Sequence, residues 1–75
     1  MNELERKMIS SGWFASGKTL GVTIAKFESL GYEQDEIIEI VFDMHEWGVL
    51  YTYPSKNGEC YRLSVQAEPE SNIGV

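Results

Sequence analysis

The chain has 75 residues, with twelve acids against six bases and a net charge of −6. At this length a single small core buries roughly 60% of the unfolded chain's surface, which is too small for most enzymes with a separate substrate domain. Six of the twelve acids lie between Glu33 and Glu46, and such a field repels the phosphate backbone whose attraction to basic residues supplies most non-specific nucleic-acid affinity. Cys60 is the only cysteine, so an internal disulfide is ruled out and a reducing, cytoplasmic setting is expected. A polar N-terminus and the lack of any apolar run approaching about 18 residues predict neither a leader nor a membrane span. The composition suggests one folded domain over 1–65 and a flexible tail over 66–75.

Asn2 is a good cap for a first helix over about Glu3 to Ser11. Glu3 and Glu5 occupy the first turn, where the helix dipole favours acids. Leu4, Met8 and Ile9 would face the core, with Gly12 as the stop. The segment from Trp13 to Val22 reads as a connector with a packed Trp13 and Phe14 and a short strand near Leu20–Val22. Thr23 would cap a second helix that turns Ile24, Phe27 and Leu30 inward and stops at Gly31. Tyr32–Gln34 would then form the turn of a helix-turn-helix. The third helix runs to Gly48, and at 100° per residue it places Ile37, Ile38, Ile40, Val41, Phe42, Met44, His45 and Trp47 on one broad apolar arc. Glu36, Glu39, Asp43 and Glu46 fill the remaining stripe.

After Gly48, VLYTYP and ECYRLSV alternate as half-buried strands. Asn57-Gly58 between them is the signal for a two-residue type I′ turn, which would set Lys56 opposite Glu59, Tyr53 opposite Arg62 and Thr52 opposite Leu63. Pro54 suits a strand with a free edge. The expected fold class is α+β, a winged helix of three helices with a short strand and a C-terminal β-hairpin wing.

This order resembles the winged-helix family over about residues 3–65. Within it Val22-Thr23-Ile24-Ala25-Lys26-Phe27, Leu30-Gly31-Tyr32, Asp35-Glu36-Ile37-Ile38 and Trp47-Gly48-Val49-Leu50-Tyr51 look most like the small C-terminal winged-helix modules of archaeal replicative helicase subunits and of replication protein A middle subunits. The resemblance implies a protein-docking or regulatory unit and carries no catalytic signature.

Gly12 to Thr19 satisfies the phosphate-loop spacing GxxxxGK[ST], in which backbone amides cradle phosphates, Lys18 would reach the β- and γ-phosphates and Thr19 would hold Mg²⁺. Asp43 in IIEIVFD could be imagined as the second metal-holding aspartate. The motif requires a buried strand before it, and here it follows the helix-like NELERKMISS. The connector reading is therefore preferred. His45 lacks the cysteines or second histidine of a metal set and reads as a core or interface histidine. Cys60 reads as a small buried hydrophobe with no identifiable base. Glu36 with Glu39 could in principle act as an acid/base pair, but on a helix exterior they read as solvated charges. No catalytic residue, metal ligand or cofactor is assigned.

The acidic stripe of Glu36, Glu39, Asp43 and Glu46 has two readings: a solvated helix face, or a docking surface that offers a basic protein partner an anionic, nucleic-acid-mimicking row. Like charges spaced three and four apart without lysines to offset them cost helix stability, which favours a use for them. The wing, with Tyr51, Tyr53, Lys56 and Arg62, offers weak nucleic-acid contact as the opposing view. The expectation is a non-catalytic protein-interaction regulator or adaptor with no membrane partner. The alternative is a winged-helix DNA-binding transcription regulator, which would need to be a homodimer to bind specifically. A nucleotide-binding protein using Gly12 to Thr19 stands third.

Overall fold

A computed structural model describes residues 2–64, so the tail expected over 66–75 lies outside the described residues. The chain is α+β: three helices and a three-stranded antiparallel sheet, in the order α1 (Glu3–Ser10), β1 (Lys18–Thr19), α2 (Leu20–Glu28), α3 (Gln34–Glu46), β2 (Leu50–Ser55) and β3 (Gly58–Leu63).

Local chemistry sets the helix ends. The Asn2 side chain accepts from the Glu5 amide at 2.9 Å, as expected of that cap. At the end of α3 the amide of Gly48 donates to the carbonyl of His45 and that of Val49 to the carbonyl of Met44. This doubly bonded stop needs a residue with positive φ between them, and Gly48 supplies it at +85°. Gly12 and Gly31 close α1 and α2 with the same pair of bonds.

Three expectations around the second helix fail. The strand expected at Leu20–Val22 lies at Lys18–Thr19, and α2 is capped by Thr19, not Thr23. Both threonines could serve by type, but their partners decide. Thr19 Oγ1 accepts from the Val22 amide at 3.2 Å, whereas the fully buried Thr23 hydroxyl donates back to the Thr19 carbonyl and accepts from Trp13 Nε1 at 3.0 Å. Leu30, expected inward, falls beyond the last helical turn and is half exposed.

β3 is the central strand, paired with β1 (Lys18 with Tyr61, Thr19 with Cys60) and with β2. The hairpin register differs from the expected one by two residues: Ser55 opposes Gly58, Tyr53 opposes Cys60, Thr52 opposes Tyr61 and Tyr51 opposes Arg62. A type I′ turn needs positive φ at both central residues, and Asn57 does not have it. Instead Ser55 Oγ accepts from the Asn57 amide and donates to the Gly58 carbonyl, which draws the turn back onto Lys56-Asn57. A slip of two leaves every side chain on its intended face. Pro54 lies on the edge strand β2, as its missing donor requires.

The core packs Leu4 and Met8 of α1, Phe14 of the connector, Phe27 of α2, Ile37, Ile40, Val41 and Met44 of α3, and Leu50 and Tyr61 of the sheet. From α3 it takes only a stripe roughly 100° wide. Phe42, His45 and Trp47, expected on the buried arc, are exposed. Among the described residues no further element lies over the flanks of that helix.

Candidate functional site: the outward face of α3

Along α3 the side chains of Glu36, Glu39 and Glu46 are exposed and that of Asp43 is half-buried. The side-chain hydrogen bonds among the described residues involve none of the four. Phe42 and Trp47 are 50% and 60% exposed. On a helix surface, residues three or four apart are neighbours. Phe42 therefore stands between Glu39 and Glu46, and Trp47 beside Asp43. The capping residue Trp47 keeps helical backbone angles, and its amide still bonds the Asp43 carbonyl at 2.9 Å, so its ring continues the helical spacing. The site is thus wider than the four carboxylates: two aromatic rings belong to it. The sequence carries a signal for Phe42 alone, because a core stripe centred on Ile37 and Met44 puts it on the far side of the helix, whereas Trp47 falls at the edge of that stripe beside Ile40.

On the other flank, the exposed His45 sets its ring edge-on to Tyr61, with centroids 5.8 Å apart. Burial, followed by the Glu59 carboxylate, holds the Tyr61 phenol above its ordinary pKa. Cys60 is buried, its sulfur 3.4 Å from Ser55 Oγ.

The wing residues are only partly assembled. Tyr51 and Tyr53 share a face with ring centroids 6.1 Å apart, and Arg62 lies opposite Tyr51. The Arg62 guanidinium, however, donates Nε–H to the Ala15 carbonyl at 3.0 Å. Lys56 is at the exposed turn.

The segment Gly12–Thr19 is folded as a connector. A phosphate loop aims its amides at the ligand, whereas here Trp13 N–H donates to Met8, Ala15 N–H to Gly12 and Gly17 N–H to Phe14. Lys18 Nζ donates to the Trp13 carbonyl at 3.1 Å and to Ser16 Oγ at 2.8 Å, and lies 4.8 Å from the centroid of the Trp13 ring. Thr19 is spent on capping α2. Gly17 adopts φ +85°, and a Cβ there would collide with the Tyr53 hydroxyl, so this glycine lets the connector close on the hairpin.

Among the described residues no group of three or more His, Cys, Asp or Glu side chains could hold a metal ion, and no helix is long and apolar enough to cross a membrane. Set against known proteins, the chain matches no family model, no curated protein and no solved structure.

Proposed function

We propose that this chain is a winged-helix module that acts without catalysis, as a regulator or adaptor that binds a basic protein through the outward face of α3. One observation carries the reading: among the described residues the carboxylates of this stripe take part in no side-chain hydrogen bond, and a solvent-facing aromatic ring stands at each edge of the stripe. The winged-helix layout is supported by the order helix, strand, helix, short turn, helix and hairpin, with β1 joined to the hairpin through β3. In that layout α3 is the helix that would enter a DNA groove, and it carries no Lys or Arg. A helix so charged has the sign of the nucleic acid itself, and it suits a partner that would otherwise hold phosphates.

The test is a titration with a labelled oligolysine peptide at about 50 mM salt, where charge contacts are least screened. The wild type binds, and the double variant Glu39→Lys with Asp43→Lys loses binding while keeping its cooperative melt. Unchanged binding overturns the reading. A gel shift with duplex DNA at the same salt gives no retarded band, whereas micromolar retardation would move the assignment to a DNA-binding regulator.

A further inference from the structure

Resting on that reading, we infer that the α3 face is built to take arginine in preference to lysine, so that the partner presents an arginine-rich segment. Charge alone does not separate the two cations. The arrangement of rings and carboxylates does.

Phe42 follows Glu39 by three residues and precedes Glu46 by four, and Trp47 follows Asp43 by four, so each exposed ring has a carboxylate beside it on the helix surface. A guanidinium is planar and weakly hydrated: it lies flat on an aromatic face while its fork of N–H groups points sideways to a carboxylate. The Phe42 and Trp47 positions provide both contacts to one such group at each ring. A lysine ammonium is a strongly hydrated point charge that gains the charge attraction and little from the ring when both stay in water. Five residues separate the two rings, about 7.5 Å along the axis and about 140° around it, so they flank the acidic stripe on either side and each takes its own arginine.

Among the other exposed apolar side chains, Val22 does not have this company. Val22, also 50% exposed, lies four residues from Lys18 and from Lys26. It serves as the control position.

The experiment compares labelled oligoarginine and oligolysine peptides of equal length, titrated against the whole chain at about 50 mM and about 150 mM salt. The expected result is arginine binding tighter by about fivefold, the size of cation–π gains at exposed sites. In the Phe42→Ala, Trp47→Ala double variant the ratio falls to about one and oligolysine affinity is kept, while Val22→Ser leaves both unchanged. Both rings are exposed, and an unaltered circular dichroism melt verifies that the variant folds. Equal affinity of the wild type for the two peptides, or a preference that survives loss of both rings, overturns the inference and leaves the acidic docking surface standing. Loss of neither peptide on reversing Glu39 and Asp43, or no binding of either peptide to the wild type, overturns the docking surface itself and the inference with it.

Discussion

Reversing Glu39 to lysine should make the domain more stable while it removes the proposed function. Glu39 has three acidic neighbours on its own helix: Asp35 four residues before, Glu36 three before and Asp43 four after. Each like-charge pair at these spacings costs roughly 0.2–0.5 kcal/mol, and an opposite-charge pair gains a similar amount. Three sign reversals thus yield roughly 1–3 kcal/mol before screening, and about 1 kcal/mol at physiological salt for side chains this exposed. Helix propensity barely enters, because lysine and glutamate rank together. For a domain of this size about 1 kcal/mol corresponds to a rise in Tm of roughly 4–8 °C. The assay is thermal unfolding followed by circular dichroism at low salt and again near 1 M, where a Debye length of about 3 Å should erase most of the gain. A Tm that is unchanged or lower at low salt would refute the reasoning, because it would mean that the acids are already neutralised within the chain.

Two further outcomes test the fold around this face. Gly17→Ala forces an alanine into φ +85° and against the Tyr53 hydroxyl, which should cost roughly 2–3 kcal/mol in denaturant unfolding; adding Tyr53→Phe should recover part of that loss, and strictly additive effects would contradict the contact. The raised Tyr61 pKa means that the native state holds the phenolic proton more tightly than the unfolded chain. Its contribution is therefore complete below about pH 10 and is lost as pH rises through the higher native value. Stability measured from pH 9 to 11 should fall more steeply in the wild type than in Tyr61→Phe, and parallel slopes would contradict the shift.

The parts of this structure legible in the sequence are those decided within a few residues. Gly12, Gly31 and Gly48 end their helices because the closing bonds lie inside one turn, and Asn2 caps α1 for the same reason. The existence of the hairpin was equally local. Its register was not, since Asn-Gly serves more than one turn type and the Ser55 hydroxyl chooses between them. Choosing between Thr19 and Thr23 as the cap of α2 was out of reach as well. It depends on Trp13, ten residues from Thr23, whose indole N–H claims the Thr23 oxygen. At the candidate site the four acids could be read from spacing alone. The two rings were misassigned to the core because periodicity gives the direction of an apolar arc and not how much of it the remaining elements can cover.

The coincidence of rings and acids is the strongest argument that this face is used. Carboxylates alone are explained by solubility, and an occasional exposed aromatic by the small core of a short chain. Each feature on α3 also works against the monomer: the acids repel one another along the helix, and the rings leave apolar surface in water. Selection for stability alone would disperse them, for instance by placing a lysine at position 39 or a polar residue at position 42. Finding both costs between Glu36 and Trp47, little more than three turns of one helix, fits the proposed docking surface, on which a partner's cations and apolar stems would relieve both together.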